Sequence, residues 1–203
     1  MQRTAIFLAL VFLLSVGATA QEMRSEVSIQ GTGIFTKDSN GEGILQQSTQ
    51  TGGVLGGYRY RLNRWFSAEA VYGWNRNSQL FSTPGGFARV QTDMHQVTGG
   101  LVVNLPALQR FKNVRPYALA GGGALIFDPT NNGGGILGVQ RQTVSTFVYG
   151  GGADFPIPRL NRLALRLEYR GLVYNAPNFG LSNLDTGKVT HTAEPSAGLV
   201  FRF

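Results

Sequence analysis

The strongest constraint on this chain is a pattern of period two that recurs along almost its whole length. Successive side chains of a strand point to opposite faces, so regular alternation of apolar and polar residues marks a strand that borders two environments. Residues 25–36 put Val27, Ile29, Gly31, Gly33 and Phe35 on one face, and Ser28, Gln30 and Thr32 on the other. Residues 53–62 set Val54, Tyr58, Tyr60 and Leu62 against Arg59 and Arg61. Residues 65–76 set Phe66, Ala68, Ala70, Tyr72 and Trp74 against Ser67, Glu69 and Asn75. Residues 92–105 set Val97, Gly99, Leu101, Val103 and Leu105 against Gln96, Thr98 and Asn104. Residues 115–127 carry Tyr117, Leu119, Leu125 and Phe127 opposite small residues. Residues 142–155 carry Phe147, Tyr149, Ala153 and Phe155 opposite Thr146 and Asp154. Residues 162–174 place Leu163, Leu165, Leu167, Tyr169 and Val173 against Arg166, Glu168 and Arg170, and residues 189–203 place Ala197, Leu199, Phe201 and Phe203 against Glu194, Ser196 and Arg202.

These segments are eight in number, each long enough to cross a bilayer core as a tilted strand. Their connections alternate in length. Asn63-Arg64, 106–113 and 156–161 are short, whereas 37–51, 77–91, 128–141 and 175–188 are long and rich in Gly, Asn, Ser or Pro. Long loops at one end and tight turns at the other predict an all-β fold, an eight-stranded antiparallel up-and-down transmembrane β-barrel.

The N-terminus reads as an address. Arg3 precedes an apolar stretch from Ala5 to Val16, and Ala18 and Ala20 supply a small-residue cleavage site. Residues 1–20 are therefore expected to be a cleavable signal peptide that directs export, leaving 21–203 as one barrel domain. The apolar stretch is shorter than the ~20 residues a spanning helix needs.

Composition removes several chemistries. There is no cysteine and there are only two histidines, which excludes disulfides and thiolate metal sites and argues against a histidine-rich metal centre. No cofactor or metal site is expected. The net charge of +7 is spread through alternating strands rather than gathered on a basic helix, so no nucleic-acid partner is expected. Glycine is abundant, with 28 residues, and runs such as Gly121-Gly122-Gly123 and Gly150-Gly151-Gly152 lie inside strands. They lack the helix and Lys-Ser/Thr of a phosphate loop and read as relief of crowding in a narrow barrel. Pro195, inside the last segment, predicts a bulge.

Period two does not say which face is outside. Three features place lipid on the apolar face. The polar face carries Arg59, Arg61, Glu69, Arg166, Glu168, Arg170, Glu194 and Arg202, which can pair into a charge network in an interior only wide enough for side chains. The middle of the apolar face carries no charge. Aromatic residues gather near segment ends, with Trp65, Phe66, Phe111, Tyr117, Phe155, Phe201 and Phe203 by the short turns and Phe35, Trp74, Phe127 and Tyr174 by the long loops. Such girdles mark the two membrane interfaces.

The runs Arg115-Pro116-Tyr117, Tyr149-Gly150-Gly151-Gly152-Ala153-Asp154, Leu165-Arg166-Leu167-Glu168-Tyr169-Arg170 and Ala197-Gly198-Leu199-Val200-Phe201-Arg202-Phe203 resemble the OmpA-like and OmpX-like family of eight-stranded outer-membrane barrels. The resemblance spans the mature chain. It implies integral residence in the bacterial outer membrane, contact with outer-membrane lipids and a monomeric state. It also implies an assembly signal, Phe201 and Phe203, read by the barrel-insertion machinery. In contrast to full-length OmpA, the chain is expected to end at the barrel, without that protein's peptidoglycan-binding domain.

No catalytic residues are expected. His191 and Glu194 fall on opposite faces, His95 shares its face with Asp93, and Glu69, Glu168 and Glu194 are expected to be neutralised by arginines. Three functions stand open. The leading one is a non-enzymatic structural component that displays its loops to an adhesion target or ligand, with Phe81, Phe87, Ile136, Leu137, Phe179 and Leu181 as apolar contact points. The second is a small pore or gated conduit, and the least favoured is a lipid-modifying enzyme. Arg24, Arg61, Arg64, Arg110, Lys112, Arg115, Arg159, Arg162 and Arg202 make the short-turn end basic, and a periplasmic rim that binds anionic headgroups or acidic cell-wall groups is expected.

Overall fold

The computed structural model describes residues 23–41, 44–83, 86–105, 114–130, 139–181 and 185–203. The expected signal peptide, the turn 106–113 with Phe111, Arg110 and Lys112, and loop residues Ile136 and Leu137 lie outside these.

Every regular element among the described residues is a strand: β1 (Ser25–Thr36), β2 (Ser39–Gly41), β3 (Ile44–Ser48), β4 (Thr51–Arg61), β5 (Phe66–Thr83), β6 (Gly86–Asn104), β7 (Arg115–Pro129), β8 (Gln142–Pro156), β9 (Leu163–Asn175) and β10 (Val189–Arg202). Eight of them, all but β2 and β3, pair antiparallel with their neighbours, and β1 pairs with β10 to close the barrel. Closure leaves no unpaired edge at membrane depth, as lipid demands.

The ladder register fixes the shape. One circuit of directly opposed residues runs from Glu26 through Arg59, Glu69, Gly100, Gly121, Val148, Leu172 and Thr192. It returns to Thr36, ten residues along the strand where it began. This stagger tilts the strands and leaves a lumen that side chains fill. Inward glycines relieve the wall: a Cβ on Gly121 would stand 2.2 Å from the Gly99 carbonyl oxygen, and one on Gly150 2.0 Å from that of Tyr169.

The outer surface is a belt of half-exposed apolar side chains, including Ile29, Val54, Leu101, Phe147, Leu167 and Leu199. Trp65, Phe66 and Phe201 ring its short-turn end, and Phe35 and Trp74 its long-loop end. Three expected girdle members are elsewhere. Tyr117, Phe127 and Tyr174 are buried in the lumen. On β7 the parity is the reverse of that on the other strands: Tyr117, Leu119, Leu125 and Phe127 face inward, while Ala118, Ala120 and Gly122 face outward. The pairing of Arg115 with the inward Asp154 sets this parity, and a one-residue slip would reverse it.

Two further expectations change. Residues 77–91, read as a loop, extend the β5–β6 hairpin, in which Ser78–Gln91 to Thr83–Gly86 stay paired. Within 37–51, β2 and β3 form a small hairpin that adds to upper β5. Pro195 makes no bulge. The β1–β10 register is unbroken across it, only its own pair with Gly33 and the adjoining pair of Ile34 with Glu194 are missing, and Thr32 Oγ1 donates to its carbonyl oxygen at 2.9 Å.

Candidate functional site

The lumen is built in two layers. Nearest the short turns, the inward positions of β1, β4, β5, β8, β9 and β10 supply four arginines and four carboxylates. Arg166 Nε and Nη2 grip Asp154 at 2.7 and 2.9 Å, and the same Nη2 reaches Glu26 at 3.0 Å. Arg202 donates to Glu26 at 2.9 Å and to Asp154 at 2.6 Å, which completes one quartet. In the second, Arg59 donates to Glu69 from Nε at 2.9 Å, and Arg170 bridges Glu69 and Glu168, the latter at 2.7 Å. Tyr117 joins the quartets: its hydroxyl donates to Glu168, and its ring lies 4.2 Å from the Arg59 guanidinium and 5.4 Å from that of Arg166. All eight charged groups are nearly or fully buried. The lattice is neutral, and each carboxylate is held by at least two arginines, the arrangement in which buried charge is tolerated.

Of the residues singled out from sequence, Arg59, Glu69, Arg166, Glu168, Arg170 and Arg202 meet in this lattice. Arg202 was also assigned to the basic rim, but there it is fully engaged. Arg61 stands at the mouth, its side chain 37% exposed and 3.6 Å from Glu26. Glu194 is not ion-paired. It stands directly opposite Arg170, whose guanidinium is turned to Glu69 and Glu168; it accepts from Gln96 Nε2 at 3.3 Å, and its Oε1 has no hydrogen-bond partner, like Asn75 Oδ1, Gln96 Oε1 and Thr98 Oγ1. Sequence reasoning missed Glu26, Asp154 and Tyr117. The first two share parity with Ser28 and Thr146, a signal sufficient to include them.

The upper layer is a cluster of rings and aliphatic chains set among buried polar side chains such as Asn77, Thr92, Gln96 and Thr192. Leu125, Phe127, Met94 and Leu172 fill the lumen, with Tyr174 against Phe127. Phe179, from the β9–β10 loop, inserts from above and meets Phe81 and Phe127 edge to face at 6.2 and 6.3 Å. Its backbone adopts a φ of 54°, followed by Gly180 at 79°, and its N–H donates to Gln142 Oε1 at 2.7 Å. Phe179 and Phe81 are thus fully buried stoppers rather than exposed contact points, and Leu181 packs partly against them. Of the expected contact points among the described residues, Phe87 is the exposed one, at 83% on upper β6.

Both histidines lie on the outer face. Tyr72 and His95 are linked Oη to Nδ1 at 2.7 Å, and Tyr149 and His191 Oη to Nε2 at 2.9 Å. Glu194 is across the wall from His191, so these two do not form an acid–base pair. Among the described residues no group of His, Cys, Asp and Glu could hold a metal ion.

At the long-loop end, β2, β3 and the upper parts of β5 and β6 form a small sheet. The β9–β10 loop braces it: Ser39 and Thr186 share a hydroxyl hydrogen bond of 3.0 Å, and Gln46 Nε2 donates to the Pro177 carbonyl at 3.4 Å. On β6, the run from Phe87 to Val90 pairs with β5 on one side. On the other side, ladder pairing with β7 begins only at Thr92, leaving this run without a strand neighbour among the described residues.

No curated protein matches the chain in sequence. Solved structures do match in fold. Neisserial surface protein A is 14% identical with a TM-score of 0.58, over 88% of this chain and 97% of that one. OprG, an outer membrane protein of Pseudomonas aeruginosa, is 12% identical with a TM-score of 0.57, over 90% and 97%. The outer membrane protein AlkL, determined in lipid bilayers, is 13% identical with a TM-score of 0.56, over 93% and 94%. At these identities the likeness concerns the fold. The family model for the outer membrane protein beta-barrel domain matches residues 6–203, and with the closed eight-stranded barrel and its apolar belt it places the chain in that family, as an integral protein of the bacterial outer membrane.

Proposed function

We propose that this protein is a non-enzymatic display barrel that holds a small extracellular sheet above the outer membrane for binding or adhesion. The observation that carries this reading is the protruding β2–β3–β5–β6 sheet, with the run Phe87–Val90, which has no strand neighbour on its β7 side among the described residues, and the exposed Phe87 ring. An unpaired strand edge offers backbone N–H and C=O groups to an extended segment of a partner, and an adjacent aromatic side chain adds apolar contact. The conduit reading is disfavoured by the lumen, where a paired ionic lattice lies below a packed cluster of rings and aliphatic chains. Export by residues 1–20, one barrel domain over 21–203, a monomeric state and assembly through Phe201 and Phe203 belong to the same proposal. Phe201 and Phe203 stack at 6.0 Å beside the short-turn end, where they are accessible to an insertion partner.

The test combines two measurements. Cells displaying the protein should lose adhesion to their target surface when Phe87 is replaced by Asp and Arg89 by Pro, while the barrel remains folded by heat-modified gel mobility. Unchanged adhesion would overturn the surface reading. In a planar bilayer the folded parent should show no discrete conductance; repeatable steps abolished by R166A would put transport in its place.

A further inference from the structure

The short-turn mouth of the lumen is a cavity of about 360 Å³, lined by Arg59, Arg61, Arg64, Arg115 and Arg202 together with Glu26 and Asp154. Its charge does not balance. Both carboxylates are already consumed by the lattice, since Glu26 serves Arg166 and Arg202 and Asp154 serves the same pair. Arg59 is held by Glu69 and Glu168. Three guanidiniums are therefore surplus. Among the described residues, Arg61 reaches only the Glu26 that two buried arginines already share, at 3.6 Å. Arg64, on the β4–β5 turn, rests over the Trp65 ring at 5.3 Å, and neither it nor Arg115 is in an ion pair among the described residues. Asn104, Tyr117 and Pro116 complete the wall.

Three like charges at one mouth repel one another unless an anion joins them. Guanidinium groups present planar N–H forks that match the oxygens of a phosphate, and the neutral lattice beneath gives the cavity a rigid floor without competing for those forks. We propose that this periplasmic mouth is a binding site for a phosphate-type oxyanion, held by Arg61, Arg64 and Arg115. The same chemistry is offered by a soluble phosphate or phosphoester of the periplasm and by the headgroup of an anionic phospholipid folded over the rim. The site is at the opposite end of the barrel from the extracellular sheet and does not depend on the surface reading.

The probe is inorganic phosphate, titrated calorimetrically into the folded barrel in phosphatidylcholine nanodiscs at low ionic strength. Saturable binding is expected. The pair R64Q/R115Q should weaken it about tenfold or more, with a urea midpoint equal to or above that of the parent because repulsion is relieved. R64K/R115K keeps the charge without the fork and should fall between; it also serves if the glutamine pair does not fold. R76Q, at the far end, should bind as the parent does. Absence of saturable binding by the parent, or equal binding by R64Q/R115Q, would overturn the site. A repeat in phosphatidylglycerol nanodiscs separates the sources. Loss of phosphate binding there identifies the lipid headgroup as occupant, and undiminished binding identifies a soluble phosphate.

Discussion

The two layers of the lumen fill the same cross-section by opposite means. The lower layer uses four arginines and four carboxylates, each tied to partners on strands distant in sequence, such as Glu26 on β1 and Arg202 on β10. The upper layer uses rings and aliphatic chains, and one of its members, Phe179, comes from a loop rather than the barrel wall. Removing one ion strands its partners in a medium of low polarity, whereas removing one ring leaves only a void. The lower layer is therefore the rigid seal, and the upper layer is the part that can yield without exposing charge.

The largest effect should come from breaking the ionic layer. R166A deprives Glu26 and Asp154 of a shared partner and should cost about 4 kcal/mol in urea unfolding from lipid vesicles. If the loss is below about 1 kcal/mol, the lattice is not the principal seal. F127A, in the upper layer, should cost about 3 kcal/mol by the same measurement. F179A should act more locally: the β9–β10 loop should become sensitive to protease while the barrel keeps its gel mobility, and simultaneous collapse of both would merge the two layers into one cooperative unit. The parity of β7 can be tested from outside. A120R puts a charge on the lipid face and should cost about 2 kcal/mol or more near the membrane centre, while A120L should be tolerated. Smallest of all, R76Q breaks the exposed pair of Arg76 and Asp93 and should leave the unfolding midpoint unchanged.

The same contrast explains what could be read from sequence. A charge alternating with leucines, as at Arg166, Glu168 and Arg170, has one plausible destination in a membrane barrel, so the lower layer was visible strand by strand. The pairing was not: Glu194 has the same parity and stands directly opposite Arg170, yet Arg170 turns its guanidinium to Glu168 and Glu69, a choice among partners on different strands that no single segment encodes. The upper layer was nearly invisible. An inward Phe127 and an outward Phe147 are the same residue type in the same alternation, and on β7 the small residues took the outer face. Residues 77–91 looked like a loop because Asn, Ser and Pro-Gly are frequent there, although Gln79 and Phe81 keep the inward parity of Asn75 and Asn77. The protruding sheet was lost to composition, and Phe179 to its place in a loop.

The closure of β1 on β10 has a kinetic meaning. Ser25 and Phe203 exchange backbone hydrogen bonds at 3.0 and 2.9 Å, so the seam joins the earliest barrel strand to the latest. Contacts of such sequence separation form slowly, and until they form both seam strands carry open edges. Glu26 stays without Arg202 for the same interval. The nascent chain thus reaches its most aggregation-prone state just before completion, and a route that delivers the last strand directly to the first, in the membrane, shortens that exposure.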